Sequence, residues 1–223
     1  MGVCGCIDGR HGPAFLYGCF VAGTLVWTDK GLVPIEQIKV CDMVLSKPES
    51  GEGEQAYKPV VNTFVHEDKE IWFMHYLHDY TLAETIIYGT ANHPVWVDGK
   101  GWASIDSLQP GNRIVTEDGR EGVVANAQPV WATKVDHVGF RCWSFDTEYY
   151  GSLVDFSDGV VEIEPEHGNE FLWKRGVEDM ALLKRRVFNI EVEDFHTYYV
   201  GQPGVWVHNA NCSGTGSGFI SQQ

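Results

Sequence analysis

Apolar and polar residues along this chain alternate over short stretches with a period near two, and turn residues interrupt them before a helical period can establish itself. The stretches that read as strands are Thr24 to Thr28, Met43 to Ser46, Tyr57 to His66, Glu70 to Leu77, Glu84 to Gly89, Val95 to Val97, Arg113 to Thr116, Gly122 to Val124, Val187 to Val192, Thr197 to Val200 and Val205 to Val207. Between them stand Asp29-Lys30-Gly31, Asp98-Gly99-Lys100-Gly101, Pro110-Gly111-Asn112 and Asp118-Gly119, residue types that tolerate tight turns. The pattern predicts an all-β protein with many hairpins. Two stretches, Val33 to Ile38 and Trp102 to Gly111, read as short helical turns, each preceding a turn and a strand, with Pro34 suited to a first helical position. Their likeness to each other predicts a duplicated hairpin unit. Between about Asp136 and Arg186 the alternation loosens, and this stretch reads as an insertion on the β core in which Val177 to Arg186 forms a helix.

The two ends of the chain differ from its middle. Residues 1–18 are rich in glycine and lack periodicity, and residues 210–223 contain Ser213-Gly214-Thr215-Gly216-Ser217-Gly218, a linker composition. The expected organisation is therefore a flanking arm over 1–18, one domain over 19–209 and a flanking linker over 210–223.

Composition narrows the function classes. The 223 residues are 43% apolar and 13% aromatic, enough to bury a core, and their formal charge of -15 argues against a nucleic-acid partner, which requires clustered Lys and Arg. The apolar runs are too short and interrupted for a membrane span, and Met1 to Tyr17 lacks the basic start and apolar stretch of a signal peptide. Export, if it occurs, is directed by another part of a longer precursor. Six cysteines form no regular disulfide framework. Cys4, Cys6 and His11 supply only part of a zinc ligand set, and no second ligand pair follows, so neither metal nor cofactor is expected.

The candidate chemistry lies at Gly18-Cys19 and His208-Asn209. A cysteine thiol can attack the carbonyl before it and turn a peptide into a thioester, provided that a base or a positive environment helps to deprotonate it. An asparagine carboxamide can attack its own carbonyl, forming a succinimide and releasing the residue that follows, here Ala210. Adjacent His208 and the more distant His196 are placed to assist if the strands align. The natural substrate of such a pair is the chain that carries it.

Four tracts in order strengthen this reading: Cys19-Phe20-Val21-Ala22-Gly23-Thr24-Leu25-Val26, Gly89-Thr90-Ala91-Asn92-His93-Pro94, Val187 through Tyr198, and Val205-Trp206-Val207-His208-Asn209. Together they resemble the Hint superfamily of inteins, bacterial intein-like domains and Hedgehog autoprocessing domains, and most of all the bacterial Hint domains that precede toxin modules. The resemblance implies a horseshoe of pseudo-twofold duplicated hairpins and a single-turnover, self-cleaving activity, acting on its own flanking segments as a monomer. It implies that Thr90 and His93 polarise the Gly18-Cys19 amide and that His93 protonates its departing nitrogen. It further implies a large secreted or cell-surface bacterial precursor with a downstream toxin or effector module.

Two departures from the splicing pattern predict loosely coupled cleavages with little ligation. Splicing needs a nucleophile directly after the terminal asparagine, where this chain has Ala210; and Asn189 stands where many inteins carry an aspartate that coordinates the two cuts. Asn189, Asp194 and Cys212 are the candidate modulating residues. True splicing through Asn211 and Cys212 is the alternative, along with a processing-inactive spacer or binding module.

Overall fold

In the computed structural model the chain is described over residues 18–78, 81, 83–144, 150–163 and 181–209. Among these residues there are seventeen strands and two 3-10 turns, so the all-β expectation holds. The strands are β1 (Phe20–Val21), β2 (Leu25–Thr28), β3 (Gly31–Pro34), β4 (Met43–Ser46), β5 (Ala56–Glu70), β6 (Trp72–His78), β7 (Glu84–Gly89), β8 (Pro94–Val97) and β9 (Gly101–Ser104). They continue with β10 (Arg113–Val115), β11 (Glu121–Ala132), β12 (Val138–Ser144), β13 (Tyr150–Asp155), β14 (Val161–Ile163), β15 (Lys184–Val192), β16 (Thr197–Val200) and β17 (Val205–His208).

The duplicated unit is visible bond by bond. In the first copy, hairpin β2–β3 leads into a 3-10 turn at Ile35–Gln37; in the second, hairpin β8–β9 leads into one at Ile105–Ser107. Ile35 N donates to Thr24 O as Ile105 N donates to His93 O, and Cys41 N donates to Val60 O as Gly111 N donates to Val124 O. Each predicted helical stretch is therefore a strand end followed by one 3-10 turn. Both turns bury one isoleucine, Ile35 and Ile105, in the main core with Val26, Val95, Tyr198 and Val207. The apolar residues at these turns are thus core anchors, which is why a short turn persists without a full helical period.

Two strands run further than the sequence pattern predicts. β5 continues to Glu70 because β15 pairs along it, from Val192 opposite Val60 to Lys184 opposite Glu70. β11 continues to Ala132 because β6 pairs with it as far as Pro129, across a bulge between Val124 and Asn126, and β12 pairs with Val130 to Ala132. Asn126, Gln128 and Pro129 dilute the alternation there, and cross-strand pairing decides the conformation instead.

The insertion is a β-meander. β12 extends from β11, pairs with β13, and β13 pairs with β14. The helix expected over Val177 to Arg186 is not found where the structure describes it: Leu182 bridges to Trp131, Leu183 N donates to Val130 O, and β15 has begun by Lys184. The run Leu182-Leu183-Lys184-Arg185-Arg186 has good helix propensity, but pairing with β5 and burial of Leu183 (2% exposed) outweigh it. Val154 and Phe156 of the meander join a second apolar cluster that contains Cys19, Val21, Ile71, Phe73, Tyr88 and Val187. The insertion thus covers the surroundings of Cys19.

Candidate functional site

The sheet brings both ends of the folded chain to one place. β1 is wedged between β15 and β7, with Phe20 opposite Phe188 and Gly89, which fixes Gly18 and Cys19 beside the residues that follow β7. β17 lies between β16 and β8, with Thr197 opposite His208 and Val207 opposite Val95, so His208 and Asn209 emerge next to the turn that carries His93. Gly89 allows the first approach, because a Cβ there would stand 2.7 Å from Cys19 O. Gly18 lets the same junction close on His93, since a Cβ on it would collide with His93 Cα and stand 2.7 Å from its Nδ1.

At the first junction every backbone group of the Gly18-Cys19 bond is held. Cys19 N donates to Thr90 Oγ1 at 3.0 Å, and Thr90 passes its own hydroxyl proton to Asn92 Oδ1 at 2.8 Å. Asn189 Nδ2 donates to Gly18 O at 2.5 Å. The Asn189 oxygen accepts from Tyr198 OH (2.8 Å) and from Ile190 N (2.7 Å), which leaves the amide no freedom to flip. The side chain at 189 is therefore a neutral donor aimed at the carbonyl that a Cys19 thiol would attack.

The electrostatics of this junction favour the neutral thiol, so attack requires the deprotonating help that the sequence reading called for. Cys19 is fully buried, and burial pushes its thiol up to about 12, with only a small opposing influence from the Lys69 charge. His93 is also fully buried, and burial, assisted by the charge of His208, holds its imidazole down at about 3. Backbone groups of Gly18 and His208 pull it slightly the other way but lie outside hydrogen-bond geometry, so both ring nitrogens are without a partner among the described residues. A buried imidazole left unsatisfied at both nitrogens is costly, and such cost is retained where a group has a task. Phe20 packs against its ring at 3.9 Å.

The second junction is polar and partly open. Asn209 is 4% exposed; its N donates to His196 O at 2.9 Å. With its carboxamide turned so that the nitrogen also donates to His196 O (2.9 Å), its oxygen accepts from Val192 N (2.7 Å). His196 holds a left-handed backbone conformation (φ 56), as does Asp194 (φ 62), so the turn from β15 to β16 aims the His196 carbonyl at Asn209. His196 thus reaches the asparagine through its main chain. Asp194, by contrast, is an exposed carboxylate paired with Lys58 at 2.9 Å. His208 Nδ1 lies 2.9 Å from Asn209 O, the carbonyl that cyclisation would attack, and its Nε2 lies 2.8 Å from Glu49 Oε2.

Glu49 and Tyr198 are the site residues that sequence reasoning did not single out for a role. Tyr198 lay inside a recognised tract, whereas Glu49 sits in a glycine- and glutamate-rich loop, 159 positions from His208, with no local signal. Ala210, Asn211 and Cys212 lie outside the described residues, as do Cys4, Cys6 and His11. Among the described residues no group of three or more His, Cys, Asp or Glu side chains is placed to hold a metal ion. Nor is any helix among them long and apolar enough to cross a membrane.

Two halves of matching hairpins, with Gly18 and His208 both lying beside His93, form a Hint fold of the intein type. The chain belongs to the pretoxin Hint domain family, which it matches over residues 25–160. It is similar to the bacterial intein-like domain from Clostridium thermocellum, at 27% identity over 86% of this chain and 98% of that one, with a TM-score of 0.55. The DnaB intein from Synechocystis sp. PCC 6803 (13% identity, 87% and 99% covered, TM-score 0.52) and the gp41-1 intein (18%, 86% and 98%, TM-score 0.51) share the fold. No curated protein matches the chain. Self-processing, by cleavage or by splicing, is the general activity of this class.

Proposed function

We propose that residues 19–209 cut the chain at both of their ends, after Gly18 and after Asn209, and thereby free the segments on either side. The observation that carries this reading is the convergence of both junctions on His93, with a hydrogen-bond donor already seated on each carbonyl to be attacked.

At the first cut the sulfur of Cys19 bonds to the Gly18 carbonyl carbon, the bond from that carbon to Cys19 N breaks, and the thiol proton ends on the freed nitrogen. Asn189 Nδ2 stabilises the oxygen as negative charge gathers on it. His93 is the neutral base within the pocket. Full proton transfer from a thiol at about 12 to an imidazole at about 3 is uphill by on the order of 10 kcal/mol, so the proton moves together with sulfur attack rather than ahead of it. Thr90 Oγ1, an acceptor from Cys19 N, orients the leaving nitrogen. Water or an added thiol then resolves the thioester.

At the second cut Asn209 Nδ2 bonds to the Asn209 carbonyl carbon, the bond to Ala210 breaks, and a proton lost from Nδ2 is matched by one gained at the Ala210 nitrogen. His208 Nδ1 donates to the carbonyl oxygen, and His196 O orients the attacking amide. Because Ala210 has no side-chain nucleophile, the upstream segment has no acceptor there and ligation is a minor outcome. The partners are the chain's own flanks, and the downstream flank leads to a toxin or effector module of a secreted bacterial precursor, as the pretoxin family suggests.

Intact-mass analysis during incubation tests this. Fragments ending at Gly18 and at Asn209 are expected, the first increased selectively by an added thiol. Cys19→Ala removes only the first and Asn209→Ala only the second. An unchanged mass under reducing, mildly warm conditions overturns the proposal.

A further inference from the structure

Both ring nitrogens of His208 face acceptors. Nδ1 meets the Asn209 carbonyl oxygen at 2.9 Å and Nε2 meets a Glu49 carboxylate oxygen at 2.8 Å. A neutral imidazole carries one N–H and would turn a lone pair toward one of these oxygens, whereas the imidazolium donates to both. The side chain of His208 is 14% exposed, while Glu49 keeps 48% of its side chain in water.

The loop that carries Glu49 is fixed at both ends. Lys47 N donates to Thr197 Oγ1 at 3.2 Å near its start, and Gln55 Nε2 donates to Tyr199 OH at 3.0 Å near its end. In between, Trp102 Nε1 donates to Glu49 O at 3.0 Å and its ring meets His208 edge-on at 5.0 Å. A carboxylate pinned by its own carbonyl to the tryptophan that packs on His208 is a built partner. Among the described residues, His93, from the turn before β8, interacts electrostatically with His208, and Lys47 has its Nζ 5.2 Å over the ring of Trp206, two residues before His208. Neither provides a negative charge.

We propose that Glu49 is a positioning residue for the cut after Asn209: it holds His208 as the imidazolium, with Nδ1–H aimed at the Asn209 carbonyl. A charge-assisted donor stabilises the developing oxyanion more strongly than a neutral one. Glu49 touches no reacting atom and acts through His208, and the proposal rests on the self-processing reading above.

The test is the rate of release of the fragment ending at Asn209 from the full chain between pH 5.5 and 9, for the unaltered protein and for Glu49→Gln. The glutamine amide can donate to Nε2 and so permits the neutral ring. The alkaline limb of the profile is expected to move down by about one pH unit, giving cleavage about tenfold slower near pH 8 and within about twofold at pH 5.5. Thiol-dependent release at Gly18 should be unchanged. A structural role alone would lower the rate equally at every pH, and that result, or superimposable profiles, overturns the proposal. In the uncut Asn209→Ala protein, nuclear magnetic resonance of the His208 ring provides a second readout, with Glu49→Gln expected to release the ring proton about one pH unit lower. If no fragment ending at Asn209 forms even from the unaltered chain, the self-processing reading fails. The ring titration then still decides the pair, since identical curves with and without Glu49→Gln refute it.

Discussion

The two junctions that the proposed cleavages would use, Gly18-Cys19 and Asn209, lie in opposite media. At Gly18-Cys19 everything is dry: a fully buried thiol, a fully buried neutral imidazole and a carboxamide donor, beneath an apolar cluster that the β-meander completes. At Asn209 the helper is a partly exposed histidine paired with a wet carboxylate. Dryness strengthens the Asn189 hydrogen bond but disfavours charge on Cys19, so the first junction is primed in geometry and restrained in proton chemistry. The second depends on where His208 points. On the proposed reading the two cuts answer to different media, although His93 lies beside both junctions.

The largest effect expected from the dry side is on stability. His93 is held down at about 3 against an ordinary value of 6.5. Between these values the unfolded chain takes up a proton at this ring that the folded chain refuses. Stability therefore rises with pH through that window and is lost as the medium is acidified, by up to about 5 kcal/mol at its lower end. Denaturant unfolding of an uncut Cys19→Ala/Asn209→Ala protein, with and without His93→Gln, isolates this contribution from that of the carboxylates. The expected result is a steeper loss below pH 6.5 when His93 is present. Parallel curves would mean that the ring is not buried neutral and that the two media are alike.

Chemistry at the first junction comes next in size. Asn189→Asp replaces the donor to Gly18 O by a carboxylate that cannot donate, and loss of one such donor typically slows reaction by about 10²- to 10³-fold. Thiol-dependent release at Gly18 should fall by that factor, while cleavage after Asn209, which shares no hydrogen bond with Asn189, should stay within about twofold. If both cuts slow together, position 189 couples them and the division into two media is wrong.

Much of this was legible in the sequence because it depends on local patterns. Period-two alternation and glycine-bearing turns marked most strands, and the repeated stretches around Ile35 and Ile105 marked the duplication. Cys19, Thr90, His93, His208 and Asn209 stood in tracts whose order is itself informative. What escaped depends on distant partners. Lys184 to Arg186 looks helical until β5 pairs with it, and β11 looks like a short strand until β6 and then β12 pair along it. The burial of Cys19 comes from the insertion and core together, which no neighbour of Cys19 in the sequence reports. Asn189 was read for the charge it lacks, and only its 2.5 Å contact with Gly18 O reveals the donor it provides.

The smallest effect concerns a position remote from both junctions and separates fold stability from junction chemistry. In the duplicated turns, Gly111 occupies a left-handed conformation (φ 88) where its counterpart Cys41 does so with a side chain (φ 75). Cys41 is exposed, so its thiol gains little from packing, and a left-handed non-glycine residue costs about 1–2 kcal/mol. Glycine loses more freedom on folding, which offsets about 0.5–1 kcal/mol of the relief. Cys41→Gly should thus stabilise the uncut protein by about 0.5–1 kcal/mol in denaturant unfolding, and leave the ratio of the two cleavage rates unchanged. A changed ratio would show that stability of the first hairpin unit reaches the junctions through the sheet, and local medium alone would no longer account for their difference.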